Sequence, residues 1–427
     1  MSFFSKIFSY SKWTILSALV GLLLQIVLYL LIANKVDPTD LGHYFLASLM
    51  IFIPVGIIEY SFSSSLIHEE APQAHNYTAV LFINLKMSLG LLFLGTAIVL
   101  GMSWYYEESS FIHYFLLLTP IVLLMAYSSV ENAGLRKNLR MKTFSLIELV
   151  SLLISFGVTA TLLLLNWGVL AIIAGKLTKF TCSTAALSRI AGYLDFSAKP
   201  SPEVRKHHWD YGQYILAEKS LTIGLTQIDS FIIHHYLGAE VLGIYDLLKR
   251  MIVRPFVIVY VAIEQVVFPL LCRPENKPNY AKVFNSFIQT NYVFFLALLG
   301  LPLTTWLMQF FPEPYQEYDH IFQLIILLAI SMMVFNPVDI VAYSLDKTKR
   351  YFYWILSYSL LQLALMMIAL QQGLQTFIMA MIFFNLLTYM ISYFVIIDKE
   401  TKVSFWSWSQ LALLGLLVTI SFILITN

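Results

Sequence analysis

Apolar runs of about 20 residues, separated by short polar connections, follow one another along the whole chain. A helix needs about 20 apolar residues to cross a bilayer, whereas a strand of a membrane barrel alternates over about 10 residues. The pattern therefore predicts an all-α polytopic membrane protein with 12–14 transmembrane helices and a best count of 13. The predicted spans are 12–33, 41–67, 78–101, 111–133, 144–165, 168–190, 211–235, 241–271, 284–310, 320–345, 351–370, 374–397 and 405–424.

Positive charge is distributed unevenly between alternate connections. With a cytoplasmic N-terminus, 17 of the 26 Lys and Arg residues lie in cytoplasmic connections, one in an outer connection and eight inside spans. Cytoplasmic loops carry the excess of Lys and Arg in membrane proteins. The distribution therefore predicts that the N-terminus is cytoplasmic.

The composition narrows the class of protein further. Hydrophobic residues make up 59% of the chain and charged residues 12%, against about 25% charged in soluble domains. The two cysteines have no CxxC spacing, and no ATP-binding loop or hydrolase motif occurs. We expect a transporter with no catalytic residue, metal, cofactor or nucleic-acid partner. Its energy would come from a gradient of H⁺ or Na⁺, or from the substrate.

A short motif recurs with an offset of 201 residues. Leu41–Tyr44 reads LGHY and Leu242–Tyr245 reads LGIY, and at the same offset Pro54 matches Pro255. Two copies separated by six helices predict two parallel bundles around a central cavity, the layout of transporters that bind between halves. Both prolines interrupt helix hydrogen bonding and are hinge candidates, although static packing explains them equally well.

The repeat and the polar connections predict the domain organisation. A six-helix N-terminal lobe is predicted at 1–192 and a six-helix C-terminal lobe at 211–400. A flexible cytoplasmic linker rich in Pro, Ser and charge joins them at 193–210, and 401–427 forms an extra C-terminal transmembrane helix.

Cations inside the spans are the main candidates for binding. One near the centre of a spanning helix costs roughly 2.5–3.5 kcal/mol, so we expect several to face a hydrated interior where an anion can meet them. Arg254 is the preferred ligand because its planar fork suits a phosphate. Arg250 can instead pair with Asp246, one turn away on the same face. The anion-binding candidates are Arg254, Arg250, Lys86, Lys176, Lys179, Lys219 and Lys249.

Acidic residues inside the spans are candidates for ion coupling. Glu59, Asp229 and Asp339 lie deepest, and Asp339 follows Asn336-Pro337, which breaks a helix and exposes carbonyl groups. Each carboxylate could bind a proton or sodium ion, or could pair with one of the intramembrane cations.

Several sequence motifs resemble one family. The chain is similar to the bacterial polysaccharide-export and lipid-linked oligosaccharide (O-antigen-type) flippases of the multidrug/oligosaccharidyl-lipid/polysaccharide exporter superfamily. The likeness covers roughly residues 10–350. The motifs that carry it are Val36–Tyr44, Ser63–Ile67, Gly134–Lys142, Ile228–Ile233, Tyr236–Gly238, Leu242–Tyr245, Pro255 and Val267–Leu270.

The resemblance implies transfer of an undecaprenyl-pyrophosphate-linked oligosaccharide across the bacterial inner membrane for O-antigen, capsule or exopolysaccharide. It implies a monomer in the bilayer, working beside other polysaccharide-assembly membrane proteins. The chain departs from the family at Glu59-Tyr60-Ser61, where Asp-Leu-Gly is usual. Alternatives are a multidrug/cation antiporter of the same superfamily, a membrane-embedded polysaccharide polymerase or ligase, and a channel.

Overall fold

The computed structural model describes residues 3–69, 72–138, 140–272, 280–345, 347–397 and 401–426. In these ranges the chain forms eighteen α-helices and one 3-10 segment, Tyr292–Gly300, and no strand. The α-helices are α1 Phe3–Lys35, α2 Pro38–Tyr60, α3 Ser63–His68, α4 Ala74–Tyr106, α5 Ser110–Leu118, α6 Pro120–Lys137, α7 Met141–Leu164, α8 Val169–Ile190, α9 Pro202–Thr226, α10 Ile228–Cys272, α11 Tyr280–Asn291, α12 Leu301–Met308, α13 Glu313–Gln316, α14 Asp319–Phe335, α15 Pro337–Ser344, α16 Thr348–Leu370, α17 Leu374–Ile396 and α18 Phe405–Thr426.

The helices confirm the predicted all-α polytopic fold. Each predicted span lies mainly on one helix or on consecutive helices, as α2 and α3 do for the second span. Within the described residues, nine helical segments are long and apolar enough to cross a bilayer. The described part of the chain is therefore a multi-pass membrane protein.

Local sequence signals set the starts of two helices in the N-terminal half. The Asp37 side chain accepts a hydrogen bond from the Thr39 N–H at 2.8 Å, and Pro38 occupies the first position of α2. At the start of α4, Gln73 and Asn76 form a reciprocal capping box.

Helix α10 contains a break in the connection predicted between the spans 211–235 and 241–271. Its only residue described as non-helical is Gly238, with φ 86° and ψ 178°, a conformation that glycine tolerates because it has no Cβ. No break occurs at Pro255, and Pro54 lies inside the continuous helix α2. The hinge roles of the two prolines stay a prediction.

The chain divides into two compact units. Unit 1 comprises Met1–His234 and Gly238–Ile244, and unit 2 comprises His235–Leu237 and Tyr245–Asn427. The core of unit 1 includes Phe62, Leu66, Tyr77, Val80, Leu81, Ile83, Val130 and Ala133. In unit 2, α14 is buried along most of its length and packs against α17. The boundary between the two units falls after His234, later in the chain than the predicted linker at 193–210. The predicted lobe boundaries stay a prediction.

The first residues of the predicted linker at 193–210 have hydrogen-bond partners in the N-terminal helices. The Tyr193 and Leu194 N–H groups donate to the Glu131 carboxylate at 3.0 and 3.2 Å, and Thr78 donates to the Asp195 carbonyl at 2.9 Å. A carboxylate that is only 1% exposed needs such donors. The end of the linker is helical, since α9 begins at Pro202, and its flexibility stays a prediction.

The two copies of the repeated motif meet inside unit 1. A Cβ added to Gly42 would lie 1.8 Å from the Ala239 carbonyl oxygen, and one added to Gly243 would lie 2.0 Å from the Pro38 carbonyl oxygen. Helices α2 and α10 therefore cross with their backbones in direct contact, which only glycine at both positions permits.

Candidate functional site

Two of the predicted cations of unit 1 differ in their surroundings. Lys176 on α8 is half-buried, and its Nζ lies 5.2 Å from the centroid of the Phe52 ring on α2. This distance allows a cation–π interaction. Lys86 on α4 is exposed.

Lys179 has an acidic partner that is distant in the sequence. Its Nζ lies 3.1 Å from the Glu148 Oε2 on α7, and Ser183 donates to the other carboxylate oxygen at 3.1 Å. Both charged side chains are about one-third exposed, at 30% and 33%. Lys179 therefore belongs to a cross-helix ion pair, and its role as an anion ligand stays a prediction.

Glu59, an ion-coupling candidate, is also paired across helices. Its Oε1 lies 3.2 Å from an Arg136 guanidinium nitrogen, which joins the C-terminal ends of α2 and α6. The guanidinium carbon of Arg136 also lies 5.0 Å from the centroid of the Phe144 ring.

Unit 2 places four charged residues along consecutive turns of α10. Arg250 donates to Asp246 at 3.1 Å, which confirms the Asp–Arg pair considered from the sequence. The Asp246 side chain is only 3% exposed, so this pair compensates a buried charge. Lys249 points elsewhere and lies 5.4 Å from the Tyr245 ring centroid.

Arg254 lies one turn beyond this pair, and its side chain is exposed. In the described part of the chain it has no ion-pair partner. Of the two arginines on this face of α10, Arg254 therefore has the guanidinium that is available for an anion.

Of the three remaining candidates, the structure describes the side chain of Asp229. Asp229 is 6% exposed, and its Oδ1 accepts the Ser230 N–H at 2.9 Å. Lys219 and Asp339 lie on α9 and α15, but their side chains are outside the described residues.

The sequence analysis did not single out His208, around which the structure places a polar network. His208 is fully buried, with its Nδ1 2.8 Å from the Ser65 Oγ and its Nε2 3.1 Å from the Asn76 Nδ2. Asn76 Oδ1 accepts the Gln73 N–H, which turns its amide nitrogen towards the ring. Burial, and then the neighbouring His207, lower the pKa of His208 to about 4, so the ring is neutral near pH 7.

A second missed feature is a polar face on α6. Ser129, Asn132 and Arg136 follow at spacings of three and four residues, so they share one side of an otherwise largely apolar helix. That spacing was the signal that could have identified this face. The residues lie opposite Glu59 and Ser63 around a small cavity.

Comparison with known proteins identifies the family. Residues 58–313 match the family described as polysaccharide biosynthesis protein. The chain belongs to this family. It is 22% identical over 369 residues to the teichuronic acid biosynthesis protein TuaB of Bacillus subtilis (strain 168), covering 82% of this chain and 73% of that protein.

Solved structures show the fold to be that of the MOP-superfamily transporters. The lipid II flippase MurJ in an inward closed conformation is 14% identical with a TM-score of 0.69, covering 98% of this chain and 93% of MurJ. An inward-facing multidrug resistance MATE family transporter is 12% identical with a TM-score of 0.65, covering 92% and 95% of the two chains. The family member described here is therefore a polysaccharide-related membrane protein with a transporter fold.

Proposed function

We propose that the chain is a flippase that moves undecaprenyl-pyrophosphate-linked oligosaccharide units from the cytoplasmic to the outer leaflet of the bacterial inner membrane. Membership of the polysaccharide biosynthesis family supports the class of substrate. The exposed guanidinium of Arg254, one turn beyond a neutralised Asp246–Arg250 pair, is the observation that carries the proposal.

The chemistry of the headgroup fits such a residue. A pyrophosphate diester carries two negative charges, and a guanidinium can donate two parallel hydrogen bonds to it. The interaction is stronger at a site of low dielectric than in water. Arg254 would bind the pyrophosphate, while Lys86 and Lys176 would add positive potential and the lipid tail would stay in the bilayer.

Transport would follow from alternating exposure of this site to the two sides of the membrane. The N-terminus would be cytoplasmic, and the protein would act as a monomer beside other membrane proteins of polysaccharide assembly. A coupling ion, H⁺ or Na⁺, would return the empty protein to its starting conformation.

Two alternative functions receive less support. A multidrug/cation antiporter shares the fold, but the sequence family is one of polysaccharide biosynthesis. A polymerase or ligase would need a large outer catalytic loop, whereas no predicted outer connection exceeds about a dozen residues.

The direct test is transport by Arg254→Ala in proteoliposomes containing a fluorescent undecaprenyl-pyrophosphate sugar. We expect loss of at least 100-fold in the rate of lipid transfer, with partial recovery in Arg254→Lys. Arg189→Ala is the matched control, because Arg189 is an exposed cation in the last turn of α8. Wild-type transfer by Arg254→Ala, or equal loss in Arg189→Ala, would refute the proposal.

A further inference from the structure

A small polar cavity lies inside unit 1. Helix α3 and the end of α2 form one wall, and the facing side of α6 forms the other. The cavity volume that is open to the centre of a water molecule is about 20 Å³. One water molecule needs about 10–15 Å³ of such volume, so the cavity suits a single water or small ion. Its lining residues are Glu59, Ser63, Ser64, Ile67, Ser129, Asn132, Ala133 and Arg136.

Two buried oxygen atoms in this lining need a partner. Ser63 is 3% exposed and Asn132 is 8% exposed. Neither the Ser63 Oγ nor the Asn132 Oδ1 has a hydrogen-bond partner in the part of the chain that the structure describes. Buried polar atoms are almost always satisfied by protein, water or an ion. The cavity beside them is therefore the natural place for an occupant.

The polar groups around the cavity also limit what that occupant can be. Apart from the Arg136 guanidinium, they are oxygens of a carboxylate, an amide and hydroxyl groups, and hard cations prefer such ligands. Behind the cavity the Asn84 Nδ2 donates to the Ser129 Oγ at 3.0 Å, which orients that serine oxygen. Once Arg136 is displaced, the single Glu59 carboxylate would balance one positive charge, which favours a monovalent over a divalent ion.

Arg136 is the competitor for this carboxylate. It contacts the Glu59 Oε1 at 3.2 Å, and its side chain is 29% exposed. The Phe144 ring, 5.0 Å from the guanidinium carbon, offers the arginine a second contact. A cation that enters the cavity can therefore replace the guanidinium at the Glu59 carboxylate. The displaced guanidinium would keep its contact with the Phe144 ring and its partial exposure.

We propose that Glu59, Ser63 and Asn132 form a sodium-binding site, in which Na⁺ and the Arg136 guanidinium compete for the Glu59 carboxylate. If the chain is the proposed flippase, this site supplies its coupling ion. Sodium binding itself needs no substrate, so it can be measured independently of transport.

The test is equilibrium binding of ²²Na⁺ to the purified full-length protein in detergent, with choline as the replacing cation. We expect saturable binding by the wild type and at least a tenfold lower affinity in Glu59→Gln. Asn132→Ala keeps the Glu59–Arg136 pair and should lower the affinity several-fold. Arg136→Gln should raise the affinity, because it removes the competing guanidinium.

Glu148→Gln is the matched control for loss of a carboxylate. Glu148 also pairs with a cation across helices in unit 1, at similar exposure, but it does not line this cavity. We expect its Na⁺ affinity to equal that of the wild type. Arg254→Ala should also bind Na⁺ normally, which separates failure of the site from failure of the proposed transport function.

Three results would overturn the sodium site. They are no saturable binding by the wild type, equal loss in Glu59→Gln and Glu148→Gln, and loss rather than gain in Arg136→Gln. If Glu59→Gln elutes as an aggregate in gel filtration, Asn132→Ala decides, and unchanged affinity there refutes the site.

Discussion

The two units hold their intramembrane charges differently. In unit 1, Glu59 and Glu148 each meet a cation from a different helix. In unit 2, Asp246 meets Arg250 one turn along the same helix. Cross-helix pairs connect the helices of unit 1 to one another, whereas the Asp246–Arg250 pair lies within one helix. The cross-helix pairs are also more exposed than Asp246, so the two kinds of pair predict different consequences when a partner is removed.

The largest expected effect on stability comes from Arg250→Ala. The nearly buried Asp246 would lose its ion pair with Arg250, which we expect to lower the free energy of unfolding by about 3–5 kcal/mol. Chemical denaturation in detergent would measure this change. The double variant Asp246→Leu/Arg250→Met should recover most of the stability, and a single variant as stable as the wild type would contradict the role of the pair.

The His208 network offers a pH test in unit 1. The unfolded chain binds a proton on this residue near pH 6.5, and the folded chain only near pH 4. Stability is therefore complete above pH 6.5 and falls as the pH drops from 6.5 to 4, by about 3 kcal/mol in total. Thermal denaturation across this range should show the fall, and His208→Gln should remove most of it.

The glycine crossing within unit 1 predicts an effect of intermediate size. Gly42→Ala and Gly243→Ala each place a methyl group against a backbone carbonyl, and overpacking of this kind costs about 1–3 kcal/mol. The losses should be similar in the two variants. Thermal stability of the purified proteins measures them, with Gly90→Ala as the control because no atom lies within 4 Å of the added methyl.

The smallest effect is expected for Lys179→Gln. Its pair with Glu148 is about one-third exposed, and such pairs contribute about 0–1 kcal/mol. A loss above 2 kcal/mol in chemical denaturation would show that cross-helix pairs matter as much as the buried Asp246–Arg250 pair. That result would remove the distinction between the two units.

The sequence predicted what depends on local spacing. Apolar runs predicted the helices, and the spacing of four residues predicted the Asp246–Arg250 pair. The sequence could not predict that Glu59 meets Arg136, 77 residues away, because that contact depends on how α2 packs against α6. The His208 network could not be predicted for the same reason, since its partners Ser65 and Asn76 belong to other helices.

The contact between the repeated motifs is reciprocal. At the offset of 201 residues Gly42 corresponds to Gly243 and Pro38 to Ala239, and each glycine touches the counterpart of the residue that the other touches. Such reciprocity is the property of an isologous interface, in which the same surface patch meets itself. The crossing of α2 and α10 therefore has a local two-fold relation within a single chain.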